Sequence, residues 1–339
     1  MGQQGATNGS TRTLYASNFS RAGYGFAGWS DAVNGNGIKY GPNETITAPD
    51  DISTNGYSLY AIWVKSAGDI QNWTGCSNLS QGEVTALKDA RDNNVYAVAK
   101  LADGKCWMIE NLRLENTGAH NTDGTLSQGY NSSFIGLAAP ETANFDYNGV
   151  ANSLYSTDGT TTATISGGLE SYRFPRYNNN NTNSRQSSSG YSVSGNTYSM
   201  GNYYTWHAAI ADTTLYSSGN HNTTSICPAG WHLPTGVATT GEFALLDIAL
   251  GGTGSSSNSS TDPTGAVMSS RYRSYPNNFL YSGYFHGSSV YSSSGDYWSS
   301  TARSSGGSYY LFLRNSDVSP GTSSDNKFYG HAIRCTLGS

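Results

Sequence analysis

Charge is the first thing this sequence is short of. Charged residues fill 12% of its 339 positions, about half of the roughly 25% usual in globular chains. No Lys/Arg stripe is present to displace counterions from phosphates, which argues against a nucleic-acid partner. Long apolar runs are missing too, so no stretch of about 18 apolar residues is there to span a membrane. Met1-Gly2-Gln3-Gln4 does not read as a signal peptide, and the chain is expected to be a trimmed piece of a longer one. Cysteine is sparse. Cys76, Cys106, Cys227 and Cys335 have no CxxC spacing of the metal-ligand kind. They allow three disulfide connectivities, or four buried free thiols. The pairing preferred here is Cys76–Cys106 with Cys227–Cys335, which would place the protein outside a reducing cytosol.

Ser, Asn, Thr, Gly (41) and Tyr (25) replace the missing charge. A hydrophobic content of 36% would suit disorder, but disorder also calls for high net charge and few aromatics. Here the net charge is −5 and aromatics reach 12%. A loop-rich folded protein with a core of Tyr and Trp is therefore expected. Its centre is Ile226-Cys-Pro-Ala-Gly-Trp-His-Leu-Pro234. Two prolines and a glycine make this a rigid, non-repeating turn, and the C-terminal Gly330-His-Ala-Ile-Arg-Cys335 is expected to close on it.

Strands are read over 84–87, 95–101 and 105–114, with Asp103-Gly104 as a two-residue hairpin signal. Two helices are read. One covers 202–212, with Tyr203, Trp206 and Ile210 on one face. The other starts at Thr239, with Glu242 completing a capping box, and ends at Gly251-Gly252. Residues 116–200 are mostly polar and expected to be long ordered loops. Short strands are read around 297–301, 309–313 and 332–335.

Residues 12–64 carry Gly23-Tyr-Gly-Phe26-Ala-Gly-Trp29, a turn at Asn34-Gly-Asn-Gly37, and Leu59-Tyr-Ala-Ile-Trp63. This order resembles the Listeria–Bacteroides (internalin B-type) repeat, a small β-rich surface module, here without the family's first strand. Further on come Lys105-Cys-Trp-Met-Ile-Glu-Asn-Leu112, Tyr203-Tyr-Thr-Trp206, the 226–234 turn, Tyr297-Trp-Ser-Ser-Thr301 and Ala332-Ile-Arg-Cys335. That ordered set resembles the Fibrobacter succinogenes major paralogous (FISUMP) domain. The expected organisation is a β module over 1–66 and a FISUMP domain over 67–339. The resemblance implies an α+β, C-type lectin-like fold, related in shape to the formylglycine-generating enzyme. It also implies an extracellular or bacterial cell-surface location.

Some members of that family are targets of diversity-generating retroelements. The window Arg271–His331 fits such a target, with fixed-looking pieces between chemically scattered ones. The expected ligand-binding residues are Tyr284, Phe285, His286, Tyr291, Asp296, Arg303, Phe312, Arg314, Asn315, Asp317, Asn326, Phe328 and His331. Tyr, Ser, Gly and Asn are also what antibody paratopes use. The expected partner is a protein or a surface polymer, bound without catalysis. No nucleophile elbow, phosphate loop or zinc-protease motif occurs. His120, His207, His221, His232, His286 and His331 show no paired ligand spacing. Tyr275-Pro-Asn277 lacks the carboxylate a calcium-bound sugar site needs. No cofactor is expected, while a structural Ca²⁺ in the loops stays open. Two other readings remain: an oxidase of the formylglycine-generating type, which needs a reactive cysteine, and a purely structural surface protein.

Overall fold

Aromatic and β-branched residues set the strands among the described residues. The computed structural model describes residues 7–14, 21–35, 39–41, 44–49, 56–91, 94–113, 173–174, 201, 203–204, 206–210, 216–221, 225–286, 289–291, 293–327 and 329–337. In chain order the first strands are β1 (Thr11–Thr13), β2 (Tyr24–Ser30), β3 (Lys39–Tyr40), β4 (Thr45–Thr47), β5 (Tyr60–Asp69), β6 (Val84–Lys88), β7 (Val95–Lys100), β8 (Cys106–Met108) and β9 (Arg173–Phe174). Then come β10 (Tyr203–Tyr204), β11 (Gly219–Asn220), β12 (Trp231–His232), β13 (Tyr284–His286), β14 (Ser289–Tyr291), β15 (Gly295–Ala302), β16 (Gly307–Leu313), β17 (Val318–Asn326) and β18 (Thr336–Leu337). The helices are α1 (Trp206–Ile210), α2 (Glu242–Ala249) and α3 (Gly265–Arg273).

One sheet of eight strands runs in the order β12-β18-β8-β7-β6-β5-β2-β3. β5 crosses the boundary expected at 66/67. It pairs antiparallel with β2, then parallel with β6 through Ser66↔Ala86. The two expected units therefore share one sheet. That sheet curls on itself. β2 and β7 are separated by β5 and β6 in hydrogen-bonded order, yet a Cβ on Gly25 would stand 2.6 Å from the Ala97 backbone nitrogen. Glycine is what allows this contact. A bulge between Phe26 and Gly28 adds local twist, and Gly28 takes a φ of 146° that a side chain would resist.

A second sheet, β11-β15-β16-β17, carries α2 and α3 against β17. The buried apolar residues form two clusters, one on each face of β7 and β8, whose residues alternate between them. One gathers Trp206, Trp231, Trp298, Tyr204 and Ile333 around the Cys227–Cys335 disulfide. The other gathers Trp107, Phe243, Tyr272, Phe279, Tyr297 and Leu311. The 226–234 turn anchors the first cluster as expected. Trp231 donates to the Ile70 carbonyl at 2.9 Å and stacks on Trp73, and Gly230 has a φ of 87° against Asn72. The preferred cysteine pairing is present in both bridges, each with Cα atoms 5.8 Å apart.

An α+β, C-type lectin-like domain is not what these elements build. Among the described residues the architecture is mostly β, in curled sheets, and only α2 and α3 reach 8 and 9 residues. The expected helix over 202–212 shrinks to α1, because Tyr203 and Tyr204 are in β10 and Tyr204 bridges His331. The capping box at Thr239 does not form either. Thr239 has a φ of 63°, Gly241 is the N-cap, and Glu242 turns inward. Helix α3 was not foreseen. Its signal is Thr264, whose hydroxyl caps the Val267 amide. The loops expected over 116–200 lie outside the described residues, apart from β9. Among the described residues no helix is long and apolar enough to cross a membrane.

Candidate functional site

The aromatic end of the molecule is built on a hairpin and a strand edge. β13 and β14 pair as Tyr284↔Tyr291, Phe285↔Val290 and His286↔Ser289. Directly opposed residues on one face are close enough for ring contact, and Tyr284 and Tyr291 stack at 5.1 Å between centroids. Tyr329, past the end of β17, stacks on Tyr284 at 5.7 Å. Tyr291 is 46% exposed, and Tyr284 and Tyr329 are half-buried. Three phenol rings thus line up in succession, with Tyr291 the most exposed of them.

Beneath them the site turns acidic. Asp296 is buried in β15 and accepts from the Ser294 hydroxyl at 2.5 Å. Burial pushes its carboxyl up to about 6. Asp325 adds to that rise, while His331 and the Ser294 hydroxyl hold it down. Burial, then the carboxylates of Asp325 and Asp296, push the Tyr284 phenol up to about 12. His331 is buried flat against Trp298, 3.9 Å between centroids, and also meets Tyr310 and Tyr284. Its Nε2 lies 3.4 Å from Asp325 Oδ2. That contact is too poorly directed for a hydrogen bond, and among the described residues neither ring nitrogen has a hydrogen-bond partner.

The remaining expected residues fall in several places. Arg303, Arg314 and Asn315 are exposed, and Phe312, Asp317 and Asn326 are half-buried. Arg314 pairs with Asp317 at 2.7 Å and leans over Phe312 in the β16–β17 turn. Arg303 donates to the Ser324 hydroxyl. Asn315 accepts from the Tyr281 hydroxyl at 3.1 Å. Phe285 and His286 occupy β13 positions, and Phe328 lies outside the described residues. The clear correction concerns Asp296 and His331. Both were expected at the contact surface, and both are interior, because their backbones form the β15 ladder and the bridge to β10.

Sequence reading missed Tyr310, Asp325 and Tyr329. Strand periodicity could have found Tyr310, since it shares a face with Phe312 two positions on. It also missed Lys327. That amine is buried, donates to the Tyr216 carbonyl at 2.6 Å and lies over Trp206; burial brings it down to about 7. His232, expected to be packed and hydrogen-bonded, contacts the Glu242 carboxylate at 2.8 Å. Among the described residues no three His, Cys, Asp or Glu side chains converge on a metal-sized site. Comparison of the chain with protein-family models, with curated proteins and with solved structures found no match.

Proposed function

We propose that this chain is a non-enzymatic binding protein of the bacterial cell surface, holding a protein or surface-polymer ligand against its tyrosine end. The observation that carries the reading is the Tyr284–Tyr291–Tyr329 stack, in which Tyr291 is partly exposed, with Asp296 and Asp325 acting on Tyr284. Tyrosines give large, rigid contact area with little entropy to lose. Carboxylates behind the rings favour a ligand that brings Lys or Arg side chains to them. Arg303 and Arg314, at opposite ends of β16, are exposed and add positive charge to the surface. Two disulfides fit an oxidising compartment, and an extracellular place follows in this reading.

The motif order that resembles FISUMP proteins supports two further parts of the proposal: membership of that family, and diversification of the 271–331 window by a retroelement. The oxidase alternative is disfavoured by the cysteines. All four are in disulfides, so no thiolate is ready.

Two experiments test the proposal. Purified protein is titrated onto intact bacterial and host cells by flow cytometry, wild type against a Tyr284→Ser/Tyr291→Ser variant. Saturable binding lost in the variant, with an unchanged melting temperature, supports the reading; equal binding by both proteins removes it. Sister genes are then sequenced. Substitutions crowded into codons 271–331 support diversification, and an even spread along the gene rejects it.

A further inference from the structure

A separate cleft lies where the β3–β4 segment meets helix α3. It measures about 200 Å³, and Glu44, Ser269, Ser270, Arg273, Tyr281 and Asn315 line it. That is smaller than the roughly 300–1,000 Å³ of sites for drug-sized ligands, so it suits one very small molecule.

Arg273 is the reason to look there. Its side chain is buried, with the guanidinium carbon 4.3 Å over the Tyr281 ring. Other buried arginines spend most of their donors, though the Arg113 Nε also makes no hydrogen bond among the described residues. Arg334 bonds Asn111 and the carbonyls of Met108, Asn277 and Asn278. Arg91 forks onto Asp89 and reaches the Ile226 carbonyl. Arg113 bonds Glu110 and the Val95 carbonyl. Arg273 donates none of its N–H groups to an acceptor among the described residues, and its Nε is also shut away from water. A buried, unpaired charged donor is costly, and a guanidinium fork is matched to a carboxylate.

Glu44 faces the same space without pairing to Arg273. Its Oε2 accepts from the Gly41 amide at 2.6 Å and the Tyr275 amide at 3.3 Å, which fixes the carboxyl in place. Its Oε1 carries no hydrogen bond among the described residues. The Tyr281 hydroxyl, which also lines the cleft, is committed to Ser269 and Asn315. Opposite charges set across one small cleft, each with unused capacity, fit a ligand carrying both signs a short distance apart.

We propose that this cleft binds a small amino-carboxylate zwitterion, such as a free α-amino acid, with its carboxylate on the Arg273 fork and its ammonium on Glu44. This site is independent of the tyrosine end.

The test uses the full chain and NMR titration with glycine, N-acetylglycine (carboxylate only), glycine methyl ester (ammonium only) and inorganic phosphate. Glycine is expected to give saturable shifts at millimolar concentration. Each single-charge analogue should bind about tenfold more weakly or worse, since each leaves one buried charge unmatched. Arg273→Gln should abolish binding, and Glu44→Gln should bring glycine down to the level of N-acetylglycine. Ser270→Trp, at an exposed rim position, should block the cleft while the melting temperature holds, which covers the case in which Arg273→Gln fails to fold. Equal affinity for glycine and N-acetylglycine overturns the proposal, as do tightest binding of phosphate, no saturable shift with any probe, or full binding by Ser270→Trp.

Discussion

Arg334 shows how much a single buried side chain can hold. It donates to Asn111 Oδ1 at 2.6 Å, Met108 O at 3.1 Å and Asn278 O at 2.6 Å, and lies against Phe279 and Tyr297. It therefore ties the end of β8, the 277–278 turn and the C-terminal segment to one point. Burial brings its guanidinium down to about 10, which leaves it charged at neutral pH. Arg334→Met would keep the bulk and strand those acceptors. The expected cost is roughly 3–5 kcal/mol by urea unfolding; a cost below about 1 kcal/mol would mean water replaces the guanidinium. Asp296 works in the opposite direction. Its folded pKa of about 6 lies above the roughly 3.9 of an unfolded aspartate. The folded state then holds the proton more tightly, so stability falls as pH rises from about 4 to about 6 and stays lower above that. Asp296→Asn is predicted to stabilise the protein by about 1–3 kcal/mol at pH 7 and by almost nothing below pH 4. Thermal melts of both proteins across that range decide it.

At the scale of elements, the decisive contact is between β2 and β7. Gly25 lies against the Ala97 and Tyr96 backbone, with no flexible side chain there to yield. Gly25→Val is expected to prise β2 from β7 and to cost about 2–4 kcal/mol, through overpacking against main chain. Hydrogen exchange should show the loss in β2 and β5 first; protection lost evenly over the whole chain would argue against it. Helix α2 makes a related point about side-chain roles. Glu242 looks in sequence like a capping residue. In the fold it meets His232 at 2.8 Å, Lys105 Nζ at 2.6 Å and the Thr235 amide at 3.0 Å. Burial alone would raise its carboxyl, but these partners outweigh burial and hold it at about 2. That stabilisation is complete above about pH 4.3, the usual glutamate value, and fades as pH falls toward 2.

Across the whole molecule, the β5–β6 pairing and the two disulfides make one mechanical unit out of distant chain segments. Cys76–Cys106 closes a separation of 30 residues and Cys227–Cys335 one of 108. On chain entropy the two contribute about 4 and about 5 kcal/mol. Calorimetry of the oxidised protein should give one transition covering both the N-terminal strands and the rest. The Cys227→Ala/Cys335→Ala variant should lose more stability than Cys76→Ala/Cys106→Ala. Two resolved transitions in the oxidised protein would mean the shared sheet does not couple the halves.

Local signals are legible in the sequence itself. The β6, β7 and β8 runs, the Trp231 turn and the scarcity of charge depend on neighbouring residues, and propensity and turn chemistry act at that range. The Cys227–Cys335 pairing was also expected, since it joins two motifs expected to close on each other. Long-range geometry lay beyond that reach. Nothing in Gly25 names Ala97 as its neighbour, nothing in Arg273 tells that its fork goes unmet, and Asp296 reads like any polar loop residue. The same lack of range misled the fold expectation. Tyr203 and Trp206 have helical spacing, but pairing with β9 and His331 draws Tyr203 and Tyr204 into a strand. Composition and turn chemistry pointed to a disulfide-braced protein with an aromatic core, which is what the described residues show. Which rings reach solvent, which charges are buried and how the sheet curls were decided only by packing, because burial belongs to the assembled surface and not to any one stretch of chain.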